Sequence, residues 1–233
     1  MKSRTFIVVL LITLLSGVFV TAAGADDVID RIVATVNGHV ILQSDWDEAL
    51  SYEALLNGRE LSSFSDDDRR AVLDRLIDQE LLAEQTTSAL FRRASESEAE
   101  ARLADARKQY PEAATADGWR AVLERFRLSE KDLVAHVQQQ IDLTRLVDAR
   151  LRPTVQIDSK SIEAYYRDKF VPQLKQAGAA QVPLADVTAK IRDLLTEEKV
   201  SELLVSWLQT LRSESKVSVP ATATPSADGD QTR

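Results

Sequence analysis

The dipeptide Asn37-Gly38 constrains the fold more than any other feature of the chain, because it predicts a tight hairpin. The runs Ile32–Val36 and His39–Leu42 on either side of it are rich in β-favouring residues. A type I′ turn requires positive φ at both central residues, and asparagine followed by glycine suits that conformation. We therefore expect Asn37 and Gly38 to form the structural turn of one small hairpin.

Most of the remaining chain has the apolar spacing of helices. After Ser65, apolar residues recur three and four positions apart up to Leu82, which predicts a helix that ends near Thr87. Glycine supplies only 7 of the 233 residues, which also favours helices. The sequence therefore predicts a mainly α protein, with further helices that begin at or near Ser44, Ser95, Gly118, Ser129, Asp158 and Leu184, and a last short strand at Lys216–Val219.

The first 25 residues have the pattern of an export signal. Two basic residues, Lys2 and Arg4, precede an apolar run from Phe6 to Val20, and Ala23-Gly24-Ala25 provides the small residues of a cleavage site. We interpret residues 1–25 as a signal peptide that is removed on export. The alternative is an uncleaved anchor in the inner membrane, and membrane contact is expected in that case alone.

The exported chain is acidic and lacks cysteine. Loss of Lys2 and Arg4 with the signal peptide changes the formal charge from −8 to −10. Nucleic-acid binding requires a basic surface that neutralises phosphates, so this charge argues against a nucleic-acid partner. Without cysteine no disulfide stabilises the fold, and stability must come from a packed core.

The chain has few residues suited to catalysis or metal binding. Its two histidines, His39 and His136, have no predicted reason to meet, and a zinc site needs three or four ligands. The sequence contains no Gly-x-Ser-x-Gly elbow and no glycine-rich phosphate loop. We therefore expect no catalytic residue, no metal and no small-molecule cofactor.

Four segments resemble, in the same order, one family of periplasmic chaperones. The first two segments resemble the N-terminal domain of SurA-type chaperones and related parvulin-containing foldases. The third resembles the segment that leads into the isomerase domain of those foldases. The fourth resembles the helix and strand that close the chaperone core. The resemblance implies a periplasmic protein with a mainly α, SurA N-terminal-like chaperone core, in which the N-terminal hairpin and the C-terminal strand form one small β-sheet. The segments are Asp30–Gly38 with Ile41 and Ser44, Leu73–Leu82, Ser161–Tyr166 and Val187–Val219.

The parvulin isomerase domain of those foldases has no place in this chain. Only Val171 to Val182 separate Phe170 from Pro183, and an independent domain needs about 50 residues. We therefore predict no isomerase activity. We predict three regions: a signal peptide (1–25), one chaperone domain (26–219) and a disordered tail (220–233). Within the chaperone domain, an N-terminal part (26–170) is followed by a linker (171–182) and by a closing helix and strand (183–219).

By resemblance, the function is that of an ATP-independent chaperone, a holdase that binds unfolded exported proteins and in particular outer-membrane β-barrel precursors. Two alternatives stay open at this point. One is a peptidyl-prolyl isomerase, by association with the family. The other is a non-catalytic adaptor that binds one folded envelope partner or forms a homodimer through the long helices. The helix expected from Ser95 to Tyr110 has a thin apolar face that suits either solvent or a partner.

Large aromatic residues are the candidates for client contact. Their rings provide adaptable contact area at a low cost in conformational entropy. The alternative is that they are ordinary core residues, as we predict for Trp46 and Trp207. The candidates are Trp119, Phe126, Tyr165, Tyr166 and Phe170.

Overall fold

The first described residues form the predicted hairpin. In the computed structural model, which describes residues 30–86 and 92–220, β1 (Ile32–Val36) pairs antiparallel with β2 (His39–Leu42). Asn37 and Gly38 have φ of 51° and 94°, which confirms the structural turn. The predicted signal peptide and the predicted tail from residue 221 onward lie outside the described residues.

The C-terminal strand β3 (Val217–Ser218) completes a three-stranded antiparallel sheet in the order β2-β1-β3. Asn37 connects the turn to the chain before this strand: its backbone N–H donates to the Lys216 carbonyl over 3.0 Å, and its Oδ1 accepts from the Lys216 N–H over 2.9 Å. Its Nδ2 donates to Ser215 Oγ over 3.1 Å and to Glu84 Oε2 over 2.8 Å. The predicted union of hairpin and C-terminal strand in one sheet is confirmed.

The helices follow the capping signals of the sequence. Ser95, Ser129 and Asp158 each accept a hydrogen bond from the backbone N–H three residues further on, which satisfies one of the unpaired donors of a helix start. The helices are α1 (Gln43–Asn57), α2 (Asp66–Thr86), α3 (Glu96–Arg107), α4 (Ala116–Arg125), α5 (Glu130–Leu151), α6 (Ser159–Tyr165), a π-helical turn (Tyr166–Phe170), α7 (Val171–Gln176) and α8 (Leu184–Glu214), with 3₁₀ turns at Leu61–Ser63, Pro111–Ala114 and Arg152–Thr154.

Two predicted helix starts differ from the observed ones. Helix α1 begins at Gln43, before the predicted cap Ser44, because the Asp45 carboxylate accepts the Leu42 N–H over 2.8 Å and so caps the helix from inside. Helix α4 begins at Ala116, which places Gly118 inside its first turn instead of before it. The hydroxyl of Thr115 accepts the Gly118 N–H over 3.1 Å and sets that start.

The main core lies between the inner face of the sheet and helices α1 to α5, joined by the last part of α8. Trp46 is 4 % exposed, and its Nε1 donates to the Arg69 carbonyl over 2.9 Å, so the core prediction for Trp46 is confirmed. Trp207 is partly buried against the same core, with the Arg150 guanidinium 4.6 Å from its ring centroid. The most deeply buried large side chains are Leu55, Ile77, Leu81, Leu133, Val33, Val36, Val72 and Val122.

Helix α3 packs on α5 instead of lying free in solvent. Ala99 is fully buried and Leu103 is 7 % exposed, and both belong to the main core. The stripe is thin because alanine fills most of it, and small side chains allow two helices to approach closely. The Glu98 carboxylate adds an ion pair to Arg145 of α5 over 2.6 Å.

A second, smaller cluster lies between α6 and the first half of α8. Ile162 of α6 packs against Val187 and Ile191 in the first half of α8, surrounded by half-buried side chains from the π-helical turn and its neighbours. The predicted linker 171–182 begins with the short helix α7. Within residues 30–86 and 92–220, every helix is too short or too polar to cross a membrane.

Candidate binding groove

Three adjoining cavities form one groove between α1 and α5, which we call the α1–α5 groove. The central cavity has a volume of about 420 Å³. It shares Glu48 and Asp132 with a cavity of about 600 Å³ on one side. It shares Ala49, Leu76 and His136 with a cavity of about 460 Å³ on the other side. The three cavities therefore adjoin one another along the two helices.

Helical spacing explains which side chains meet in the central cavity. Residues three and four apart share one face of a helix, and α1, α2 and α5 each turn such a face toward the same space. Strand β2 closes one end. The lining residues are Asp45, Glu48 and Ala49 from α1, Leu76, Gln79 and Glu80 from α2, Asp132, Ala135, His136 and Gln139 from α5, and Val40 and Ile41 from β2.

The floor of the groove is apolar and partly open to solvent. Ile41 and Ala49 are 6 % and 8 % exposed, and Leu76 is half-buried beside them. At the rims, Val40 is 47 % exposed and Leu56 is 37 % exposed. Each rim residue thus offers an apolar side chain that is not covered by the rest of the described chain.

The walls of the central cavity are acidic. Four carboxyl groups line it, and no lysine or arginine is among the described residues that do so. Burial raises the pKa of the Glu48 carboxyl, and the nearby charges of Asp132 and Asp45 raise it further. Within the described part of the chain Glu48 has no ion-pair partner, whereas the Glu80 carboxylate lies 3.4 Å from His39 Nδ1. Glu48 thus lines the groove without an ion-pair partner among the described residues.

Two aromatic rings in tilted contact form part of the wall where the central cavity meets the cavity of about 460 Å³. The ring centroids of Tyr52 and His136 lie 4.0 Å apart, with an angle of 47° between the planes. Burial lowers the pKa of His136 and raises the pKa of the Tyr52 phenol. Both side chains are therefore neutral at pH 7 and supply an aromatic surface of mixed polarity.

The groove is long enough for a short stretch of extended chain. Its α5 wall runs from Ser129 to Gln140. At about 1.5 Å per residue this is about 16 Å. An extended chain advances about 3.3 Å per residue, so roughly five residues fit along it.

The five aromatic candidates for client contact lie outside this groove. Trp119 and Phe126 are 4 % and 2 % exposed in the main core, and Trp119 also borders a separate cavity of about 410 Å³ between α4 and the start of α5. Tyr165, Tyr166 and Phe170 are half-buried in the second cluster. There the rings of Tyr166 and Phe170 stack at 5.8 Å, and the Tyr166 hydroxyl donates to the Val182 carbonyl over 2.7 Å. A role of these residues in client contact stays a prediction.

Sequence reasoning missed the residues of the groove. Glu48, Tyr52 and His136 lie beside the apolar stripes of their helices, where a single sequence predicts a solvated face. The available signal was helical spacing of polar and small residues: Glu48 and Ala49 lie three and four positions after Asp45 in α1, and Ala135 and His136 lie three and four positions after Asp132 in α5. Among residues 30–86 and 92–220, no group of three or more His, Asp or Glu side chains is arranged to hold a metal ion.

The fold and the groove together define the class of protein. It has a mainly helical core and a small sheet that joins both ends of the domain. Its groove has an apolar floor and acidic walls. The sequence model of the SurA-like N-terminal domain matches residues 1–147. The chain therefore belongs to the family of SurA-like N-terminal domains, which relates it to chaperones and to their non-catalytic part. No curated protein matches the chain.

Proposed function

We propose that the protein is an ATP-independent periplasmic holdase, and that it holds unfolded segments of exported proteins in the α1–α5 groove. The observation that carries this proposal is the row of three adjoining cavities with a partly open apolar floor, in a chain that belongs to a family of chaperone domains. A surface of this kind binds extended chains by weak, adaptable contacts. The acidic charge of the chain keeps the loaded protein soluble.

Outer-membrane β-barrel precursors are the proposed clients. Their strands alternate apolar and polar residues, with aromatic residues at both ends of the apolar band. A segment of about five residues that lies extended in the groove would place alternate apolar side chains against Ile41, Ala49 and Leu76. Its polar side chains would face the walls and the solvent.

The half-buried rings of the second cluster are a further part of the proposed contact surface. Tyr165, Tyr166 and Phe170 have partly exposed edges, so they can contact a client that extends beyond the groove. Trp119 and Phe126 are not part of this surface, since their side chains are in the main core.

A binding comparison tests the proposal. The full sequence is expressed with its export signal, and the protein is purified from the periplasm. Its affinity is then measured for a β-barrel protein diluted from urea and, as a control, for the same barrel folded in detergent. We expect micromolar or tighter binding of the unfolded form only. Equal binding of both forms would refute the holdase and favour an adaptor for one folded partner.

A groove variant locates the binding. Ala135 is exposed and lines the central cavity, so in Ala135→Trp the indole would occupy the space of a client side chain. We expect at least about tenfold weaker binding, which corresponds to roughly 1.4 kcal/mol. Ala149→Trp is the matched control, because Ala149 is an exposed alanine of the same helix outside the groove. Unchanged binding by Ala135→Trp would show that clients bind elsewhere.

The periplasmic location rests on the export signal and the family. We propose that residues 1–25 are removed and that Asp26 is the first residue of the exported protein. N-terminal sequencing of the periplasmic protein tests this, and a chain that is recovered from the membrane fraction with residues 1–25 intact would support the anchored alternative.

A further inference from the structure

Charge is distributed unevenly along the α1–α5 groove. At the 460 Å³ end, the negative charge of Glu53 is neutralised by Arg75, whose Nε lies 2.7 Å from Glu53 Oε1. At the 600 Å³ end, Arg69 and Arg127 are among the lining residues. The central cavity alone combines an apolar floor with carboxylates and, among its described lining residues, neither lysine nor arginine.

We propose that the central cavity selects client segments in which a lysine or arginine is flanked by apolar residues. This inference rests on the proposed function and names the client chemistry of the same groove. The groove binds the apolar neighbours through its floor, and Glu48 supplies the preference for the basic residue. Charge complementarity of this kind sets specificity and orientation more than total affinity.

The geometry suits both parts of such a segment. A lysine or arginine has an apolar stem, which can lie along Ala49 and Leu76 while the charged end reaches Glu48. Asp132 and Glu48 both line the central cavity and the cavity of about 600 Å³. A cation bound beside Glu48 therefore also reduces the repulsion between these two carboxylates. An arginine has the further option of stacking its flat guanidinium on the ring of His136.

Glu48 is the residue best placed to confer the preference. Glu80 already pairs with His39, and Asp45 accepts the Leu42 N–H at the start of α1. The Asp132 Oδ2 accepts the Ser129 hydroxyl over 2.5 Å. Glu48 alone among these carboxyls has no such partner within the described residues, so binding a client cation requires no existing contact to break.

Three peptides and two variants test the inference. The fluorescent peptides share one apolar sequence and differ at a central position, which is lysine, glutamine or glutamate. We expect the native protein to bind the lysine peptide about fivefold more tightly than the glutamine peptide, the effect of one partly exposed ion pair. The glutamate peptide should bind most weakly. In 1 M salt, where the Debye length is about 3 Å, the preference should disappear.

Glu48→Gln removes the proposed selector and keeps the shape of the side chain. We expect its affinities for the lysine and glutamine peptides to become nearly equal, through loss of lysine-peptide binding. Glu100→Gln is the matched control, because it makes the same change in net charge at an exposed position of α3 outside the groove. The control should keep the native preference.

The outcomes separate the inference from the proposed function. If the native protein binds the lysine and glutamine peptides equally, and Ala135→Trp weakens both, the groove binds clients and the charge preference is wrong. A preference that persists in Glu48→Gln, or that is lost equally in Glu100→Gln, also overturns the inference. If none of the peptides nor the unfolded barrel binds, the proposed function fails together with it.

Discussion

Replacement of Gly118 by alanine tests the local packing of α4 against expectations from helix propensity alone. Gly118 lies inside the first turn of α4, where alanine normally stabilises a helix by about 1 kcal/mol relative to glycine. A Cβ atom at this position would, however, lie 1.8 Å from the Glu112 carbonyl oxygen and 3.0 Å from Thr115 Oγ1. The structure therefore predicts that Gly118→Ala destabilises the protein.

The expected loss of stability follows from the backbone shift that a Cβ atom at position 118 would require at Glu112. Non-bonded carbon contacts are most favourable at roughly 3.5–4.0 Å, so the backbone at Glu112 must shift by more than about 1 Å. That segment is tied down: Ala113 is 1 % exposed, and its carbonyl accepts Arg107 Nε over 2.5 Å. Overpacking costs about 1–3 kcal/mol, and weakening of the hydrogen bond from Arg107 adds about 1 kcal/mol. After the gain in propensity, we expect a net loss of about 1–3 kcal/mol.

The assay is urea denaturation followed by circular dichroism and tryptophan fluorescence. Gly118→Ala should lower the midpoint with an unchanged slope, and a loss of this size corresponds to roughly 2–10 °C in Tm for a chain of this length. Ala121→Gly is the control, since it makes the reverse change at an exposed position of the same helix and should cost about 1 kcal/mol through propensity. A Gly118→Ala protein as stable as the native one would refute the steric argument.

Three further predictions concern the sheet, α3 and the groove. Asn37→Ala should lower the free energy of unfolding, measured by urea denaturation, by about 2–3 kcal/mol, because it loses the side-chain hydrogen bonds and strains a positive φ. Asn37→Gly loses only the hydrogen bonds and should be destabilised less. Equal stability of the two variants would contradict this prediction. The Ser95 N–H and Arg145 lower the pKa of Glu98 from 4.5 to about 2, so its stabilising contribution is present above pH 4.5 and is lost as the pH falls toward 2. The difference in thermal midpoint between the native protein and Glu98→Gln should accordingly vanish near pH 2. The pKa of Glu48 is raised, so on acidification Glu48 is protonated at a higher pH than an ordinary glutamate, and the preference for the lysine peptide should weaken at that higher pH. A preference that stays constant down to pH 4 would count against Glu48 as the selector.

The local structure of this protein was largely predictable from its sequence. Asn37-Gly38 predicted the hairpin turn, and the caps at Ser95, Ser129 and Asp158 predicted the starts of three helices. These signals act between residues a few positions apart, through backbone dihedral preferences and hydrogen bonds to the first turn. The resemblance to SurA-type chaperones correctly implied the sheet that joins both ends of the domain.

The predicted start of α4 was wrong because a nearby cap and a close backbone contact decide where this helix begins. Gly118 was expected to precede α4, but Thr115 caps the helix earlier and the glycine is needed for the close approach of Glu112. Trp119 and Phe126 were candidates for client contact, and the structure places both in the main core. Their role in client contact stays a prediction. Aromatic character alone does not distinguish a core ring from a surface ring, because both uses bury the same apolar area.

The sequence by itself determined the turn, most of the caps and the helical class. Only the tertiary structure decided that faces of α1, α2 and α5 enclose a groove, and that Glu48 is there without an ion-pair partner among the described residues. The physical reason is that a helical pattern specifies which residues share a face but not how one helix is rotated against another. That rotation is set by the packing of the whole core, and it brings Asp45, Leu76 and His136 to the same cavity although they are far apart in the chain.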